Sequence, residues 1–490
     1  MIFNSFAYFV FFPIVLLGHF LLPHRFRWVF LLLASYYFYI SWNLDLLYLI
    51  LLTTSISYAS ALIIEKTESK KTKKIFLAAT LVSCFGVLFF FKYFNFLSAA
   101  VLGAMSAFGL KVPEFSLDVL LPVGISFYTF QTLSYVIDVY RGNMKAERHF
   151  GYYALFVSFF PQLVAGPIER PENLLPQIKA AHRPDPANFS EGLRIAIRGF
   201  VKKIVVADMS ARFVNQVYNN PTQASAPSII VATILFAFQI YGDFSGYTDI
   251  ATGCARMMGI KLMKNFDLPY SSKSIKEFWA RWHISLSSWF KDYLYIPLGG
   301  NRVPVPRYLV NVFIVFLVSG LWHGAEWTFV IWGALHGIYQ ITGYLTRNIR
   351  EKIHSKIKIY KNERFALAWQ TGFTFVLVCF AWIFFRANNV SELGELLGRL
   401  VFSWPAPGQI FASLNNIGFG ITQLALTALS LYLMRILDRS PELLSGSGEG
   451  GRVASIFSAN RYVLSIWIVA FAWLVLLAGG GASSFIYFQF

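Results

Sequence analysis

Apolar segments long enough to cross a lipid bilayer recur from one end of this 490-residue chain to the other. A helix needs about 20 apolar residues to cross the hydrocarbon core, and on this measure the chain holds roughly 11 to 13 spanning, re-entrant or deeply inserted segments. Only 14% of its residues are charged, against about 25% in a typical soluble protein. The sequence therefore predicts an all-α polytopic membrane protein. The predicted segments are residues 2–22, 28–40, 46–64, 75–97, 120–139, 152–164, 195–207, 229–241, 309–321, 328–345, 365–385, 417–436 and 462–477.

The charge of the chain is concentrated in short loops. The net charge of +17 would suggest a nucleic-acid partner in a soluble protein. Here five lysines lie in residues 65–74 and seven Lys and Arg residues in 347–364, whereas residues 215–228 carry no charge. Basic loops of membrane proteins face the cytoplasm. We therefore expect the lipid bilayer to be the partner of these charges and expect no nucleic-acid partner.

The chain is predicted to be a single integral membrane domain, residues 1–490, with three parts of different character. Residues 1–115 form N-terminal helices, residues 116–345 mix apolar runs with Gly, Pro, Trp, His and Asp, and residues 346–490 return to plain apolar segments. The sequence lacks H-E-x-x-H, G-x-S-x-G and P-loop motifs, and its histidines lack the close spacing of metal ligands. Any chemistry belongs in the middle part, and we expect no metal and no bound cofactor.

Residues 271–302 form a polar and aromatic tract in that middle part. Trp279, His283, Leu286 and Phe290 recur at helical spacing, with serines and charged residues between them. The pattern predicts one amphipathic helix at or dipping into the membrane surface. Its tryptophans are typical of an interfacial belt, and His283 fits a structural role as well as a functional one.

The stretch SGLWHGAEW, residues 319–327, places His323 at the end of an apolar run. His323 follows Arg307 by 16 residues, which is about 24 Å of helix. An ionisable group inside a membrane is a functional candidate, and a neutral imidazole can accept a proton. Trp322 and Trp327 can wall a pocket around it. The alternative is a histidine bonded to a carbonyl between helices, which is the interpretation favoured for His336. Glu326 either orients His323 or marks the point where the chain meets water, and its spacing favours the second.

Acidic and amide side chains occur in two further apolar segments. Asp243 and Asp249 lie in residues 239–253, and buried acidic groups need partners. Arg281 or His283 is the predicted partner, and a purely structural ion pair is the alternative. Gln162 lies in residues 159–171, a segment broken by Pro and Gly, which is tolerated where backbone lines a cavity.

Four motifs together resemble one family. FWARWHISLSSWFKDYLYIPLGGNR, FLVSGLWHGAEWTFVIWGALHG, GDFSGYTDIATG and PQLVAGPIERP are similar to those of the membrane-bound O-acyltransferase family. The closest likeness is to its bacterial polysaccharide branch, to which the membrane subunits of alginate O-acetylation belong. This resemblance implies helices around a central tunnel or funnel and a multi-pass protein of the bacterial inner membrane.

The resemblance also implies a reaction and a set of site residues. It implies transfer of an acetyl group from a cytoplasmic donor, acetyl-CoA, across the membrane to a polysaccharide such as alginate, with a periplasmic SGNH-type partner. Cellulose, peptidoglycan or another envelope polymer is the alternative acceptor, and a transporter or flippase of an acyl donor or glycan is the alternative class. His323 takes the catalytic position of the SGLWHG motif, and His283 takes a second, upstream position. The tunnel-lining candidates are Trp282, Ser285, Ser288, Trp289, Asp243, Ser245, Gln162, Trp322, Trp327 and His336, and the donor-phosphate candidates are Lys273, Lys276 and Arg281.

Overall fold

The computed structural model describes residues 1–444 except 43, 111–112, 114, 119–120, 165, 357–361 and 417. Within this part of the chain the secondary structure is helical and contains no strand, which confirms the all-α prediction. The predicted segment 462–477 lies outside the described residues. The α-helices are α1 (Phe6–Leu21), α2 (His24–Ile40), α3 (Leu47–Lys66), α4 (Lys70–Leu88), α5 (Phe94–Ala107), α6 (Ile125–Arg141), α7 (Phe150–Ser158), α8 (Phe160–Leu163), α9 (Pro171–Lys179), α10 (Pro186–Val201), α11 (Asp208–Tyr218), α12 (Ala226–Met257), α13 (Ile275–Arg281), α14 (Ile284–Phe290), α15 (Val305–His323), α16 (Trp327–Leu345), α17 (Arg347–Lys356), α18 (Glu363–Arg386), α19 (Val390–Phe402), α20 (Ile410–Asn415) and α21 (Ile421–Leu444).

Six helices in the described part are long and apolar enough to cross a bilayer. One of them is continuous from Lys70 to Ala107, because a π-helical turn at Phe89–Tyr93 joins α4 to α5. The other predicted segments within the described residues correspond to shorter or more polar helices. The six are Leu47–Lys66, Lys70–Ala107, Ala226–Met257, Val305–His323, Glu363–Arg386 and Ile421–Asp438.

Helix α12 forms the centre of the molecule. Its start is fixed by a capping box between Ser225 and Ser228, and most of its residues are buried. It packs closely on α10 because glycines face each other: a Cβ on Gly199 would lie 2.5 Å from the carbonyl oxygen of Gly246. Such contacts between small residues hold membrane helices together through van der Waals packing.

Helices α15 and α16 form a hairpin whose close contact also depends on glycine. A Cβ on Gly320 would lie 2.3 Å from the carbonyl oxygen of Phe329 and 3.1 Å from Cα of Gly333. The hairpin therefore leaves no room for a side chain at this crossing. Since Gly320 lies one turn before His323, the crossing fixes the position of that histidine.

The tract of residues 271–302 is not one amphipathic helix, and that prediction is wrong. Two seven-residue helices, α13 and α14, are separated at Trp282 and His283, and a π-helical turn follows at Lys291–Tyr295. His283 has a φ of 44° and a ψ of 55°, in the left-handed region. This conformation reverses the chain between the helices, which periodicity alone cannot reveal because the residue types on either side still favour a helix.

Candidate active site

Two histidines that are 40 positions apart in the sequence lie side by side in the core. The ring centroids of His283 and His323 are 6.5 Å apart, and both side chains are buried. His283 lies directly before α14, whereas His323 is the last residue of α15. The two tracts singled out in the sequence therefore meet at one place.

The orientation of His283 is fixed by a hydrogen bond to Asn265. The amide oxygen of Asn265 accepts from the backbone N–H of Ser285 at 3.2 Å, from Ser285 Oγ at 2.8 Å and from His283 Nδ1 at 3.1 Å. Because a backbone N–H can only donate, the atom is an acceptor, so His283 carries its proton on Nδ1. His283 Nε2 is then an acceptor, and it is buried without a hydrogen-bond partner among the described residues. Strained backbone conformations such as that of His283 cluster at functional sites.

Aromatic rings surround His323. Its ring centroid lies 5.0 Å from those of Trp322 and Trp332 and 5.4 Å from that of Phe385. The ring centroid of His336 lies 4.9 Å from that of Trp332, and His336 Nδ1 accepts a hydrogen bond from Trp279 Nε1 at 3.2 Å. The rings exclude bulk water, and this strengthens electrostatic interactions inside the site.

A pocket reaches His323 from one side. It encloses about 550 Å³ of empty space, its open mouth included, and is lined by Lys92, Trp322, His323, Val164 and the chain from Leu121 to Phe127. Lys92 is separated from Lys70, in the basic loop, by about 33 Å of helix, which matches the roughly 30 Å core. The pocket therefore lies near the end of this span that is opposite the basic loop.

The other predicted lining residues fall into three groups. Trp322 lies against His283, with ring centroids 5.8 Å apart, and Ser285 shares Asn265 with it. Trp289 is stacked on Phe130 at 3.8 Å and belongs to the packed core beside the site. Four further candidates are buried or part-buried in the same core: Trp282, Ser288, Ser245 and Gln162. Trp327 lies apart, 49% exposed and in contact with Phe96.

The three donor-phosphate candidates do not form one cluster of unpaired cations. Lys273 and Lys276 are exposed. Arg281 forms an ion pair with Glu277 at 2.7 Å and donates to the carbonyl of Asp267. This arrangement anchors α13 to the preceding turn.

The predicted partners of Asp243 and Asp249 are wrong. Asp249 binds Arg198 at 2.8 Å and Lys202 at 2.9 Å, and Asp243 binds Lys203 at 2.6 Å. These cations lie on α10 and the π-helical turn Lys202–Ala207, which pack along α12. These ion pairs therefore connect α12 to the neighbouring core helices and do not involve His283 or His323.

Two residues beside the histidines were missed in the sequence. Asn265 lies in a polar connection between α12 and α13, where nothing in the local pattern distinguishes it. Lys92 lies in the predicted segment 75–97, so the rule that drew attention to His323, an ionisable group inside an apolar segment, could have found it. Glu326 is exposed and lies directly before the first residue of α16.

Comparisons with known proteins identify the family of this chain. Residues 146–387 match the model of the membrane-bound O-acyltransferase family. The chain is 36% identical to a probable alginate O-acetylase, AlgI, of Pseudomonas putida over the full length of both proteins. It is 37% identical to the corresponding Pseudomonas aeruginosa protein over 90% of this chain and 83% of that one, and 37% identical to a peptidoglycan O-acetyltransferase of Helicobacter pylori over 80% and 78%. The chain therefore belongs to the membrane-bound O-acyltransferase family and is a multi-pass membrane acyltransferase.

Proposed function

We propose that this enzyme transfers an acetyl group from cytoplasmic acetyl-CoA through the membrane for O-acetylation of a cell-envelope polysaccharide such as alginate. The observation that carries the proposal is His323, which is buried beside His283 and lines a pocket. With the basic loop in the cytoplasm, this pocket faces the outside. The relatives support acetyl as the group and a polysaccharide as the final acceptor, because their names specify alginate or peptidoglycan. We place the enzyme in the bacterial inner membrane, where the cytoplasmic donor is available.

The proposed reaction exchanges a thioester for an oxygen ester. An acceptor hydroxyl enters through the outer pocket and attacks the carbonyl carbon of the donor, while His323 accepts the hydroxyl proton. The carbon–sulfur bond then breaks, and the proton passes to the thiolate that leaves. A positioned general base of this kind contributes about 10²–10⁴-fold to a rate.

His283 has a separate role in this proposal. Its Nδ1–H is held by Asn265, so Nε2 is the atom that can accept a hydrogen bond. We propose that His283 Nε2 accepts a hydrogen bond from an N–H or hydroxyl group of the acetyl donor and so holds that molecule beside His323. In this proposal a periplasmic SGNH-type partner receives the acetyl group at the outer pocket and completes transfer to the sugar hydroxyl.

The test is a His323→Ala variant in cells that make the polymer, with polymer acetylation and membrane abundance measured together. We expect acetylation to be lost while the protein remains in the membrane. His19→Gln is the matched control, because His19 is another buried histidine but lies on α1 against Phe20 and His182. Normal acetylation in His323→Ala would show that the proposed function is wrong.

A further inference from the structure

Lys92 projects from a spanning helix onto the end of the helix that carries His323. Its ammonium donates to the carbonyl of Trp322 at 2.7 Å and to that of His323 at 3.2 Å. The neighbouring Tyr93 hydroxyl donates to the carbonyl of Leu321 at 2.8 Å. Both residues belong to the π-helical turn Phe89–Tyr93, a feature often found at functional sites.

The charge of Lys92 has no acidic counterpart close by. Among the described residues no carboxylate lies within ion-pair distance of its ammonium, whose partners are the two carbonyls. Taking a cation even partly out of water is costly, and the α15 carbonyls offset part of the cost because a helix C-terminus carries about half a negative charge. A packing role alone does not require this charge, since Met would fill the same volume.

Lys92 also has a hydrogen-bond donor available in the pocket that His323 lines. It lines the same pocket as His323, and an ammonium has three N–H donors, of which the carbonyls accept two. One donor is therefore left for a group that enters the pocket beside His323. The group that develops negative charge there during acyl transfer is the carbonyl oxygen of the donor.

We propose that Lys92 is a catalytic residue that stabilises this oxygen by donating its third hydrogen bond. When the acceptor oxygen bonds to the carbonyl carbon, the carbonyl π electrons move to the oxygen, and Lys92 stabilises the resulting oxyanion. The electrons return as the carbon–sulfur bond breaks, and Lys92 stays protonated throughout. This inference rests on the proposed acetyl transfer at His323. Removal of one oxyanion donor typically lowers kcat about 10²–10³-fold.

Four variants separate charge from packing, each assayed for acetyl transfer from acetyl-CoA in membranes that contain the full chain. Lys92→Met keeps the volume, Lys92→Gln keeps an N–H donor without charge, and Lys92→Arg keeps the charge. Tyr93→Phe is the matched control, because it removes a neutral bond to the same helix end. We expect Met and Gln to lower kcat about 100-fold or more with KM for acetyl-CoA within about threefold, Arg to restore part of the rate, and Tyr93→Phe to stay close to wild type.

The outcomes are distinguishable. A Lys92→Gln enzyme with wild-type kcat would overturn the role of Lys92 and leave acetyl transfer intact, whereas an active His323→Ala enzyme would overturn the proposed function itself. Equal losses in Lys92→Gln and Tyr93→Phe would show that the helix end needs its hydrogen bonds and not the charge, which also overturns the proposal. Rates are expressed per folded protein, measured by size-exclusion chromatography in detergent, so a variant that folds poorly does not mimic a loss of kcat.

Discussion

Replacing Asn265 by alanine should damage both the stability and the activity of the enzyme. The Asn265 amide oxygen accepts from His283 Nδ1 and from the backbone and hydroxyl of Ser285, and the side chain is 1% exposed. The Ser285 hydroxyl can rotate to another acceptor, but the other two donors cannot. A buried donor left unsatisfied costs about 1–3 kcal/mol, so the free energy of unfolding should fall by about 2–6 kcal/mol.

The effect of this substitution on catalysis follows from the freed imidazole. Without Asn265 the His283 ring loses the contact that fixes its position, and a displacement of about 1 Å at a reacting group costs about 100-fold in rate. We therefore expect kcat for acetyl transfer, expressed per folded protein, to fall about 100-fold.

Asn311→Ala is the matched control for Asn265→Ala. Asn311 is also fully buried, and its amide donates to the carbonyls of Leu298 and Gly300, away from the histidines. Both variants should melt at lower temperature than wild type in detergent, but only Asn265→Ala should lose kcat. An Asn265→Ala enzyme with the rate of Asn311→Ala would refute the positioning of His283 by Asn265.

Three further predictions concern the framework of the site. Gly320→Ala should lower the melting temperature and the rate, because its Cβ would lie 2.3 Å from the Phe329 carbonyl oxygen and overpacking costs about 1–3 kcal/mol. Gly343→Ala, with open space around its Cβ, should be neutral. Equal melting temperatures and rates in the two variants would contradict the close crossing of α15 and α16. Burial raises the pKa of Glu169 to about 7, above its value in the unfolded chain, so the free energy of unfolding should fall as pH rises from about 4.5 to 7. Glu169→Gln should flatten this pH dependence in melting curves. An unchanged pH dependence in the variant would exclude Glu169 as its source. Asp438→Ala should lower the free energy of unfolding by about 3 kcal/mol, because it removes a buried partner of Lys202 and the acceptor of the Tyr241 hydroxyl; a melting temperature equal to wild type would show that this ion pair does not stabilise α21.

The membrane-spanning class and the two histidine tracts could be read from the sequence because each depends on residue type and local spacing. Apolar segments identify helices, and an ionisable residue such as His323 stands out among them. The break at His283 could not be predicted, because a single left-handed residue changes the chain direction without changing the periodicity.

Pairing between distant segments was the part that the sequence left unresolved. Asp249 was expected to bind Arg281 or His283, yet it binds Arg198 and Lys202. Several cations satisfy the need of a buried carboxylate equally well by chemistry, and the choice depends on how α10 and α12 cross. Glycine contacts such as that between Gly199 and Gly246 set this crossing, and one sequence does not reveal which glycines face each other.

The central claim, acetyl transfer through His323 from the cytoplasmic to the outer face, is tested most directly in vesicles. Inverted inner-membrane vesicles that contain the full chain and its periplasmic partner would receive labelled acetyl-CoA from outside, where the cytoplasmic face is exposed. We predict that label becomes esterified to the acceptor inside wild-type vesicles and that His323→Ala vesicles with equal amounts of protein esterify none. Equal labelling in the two preparations would contradict the claim.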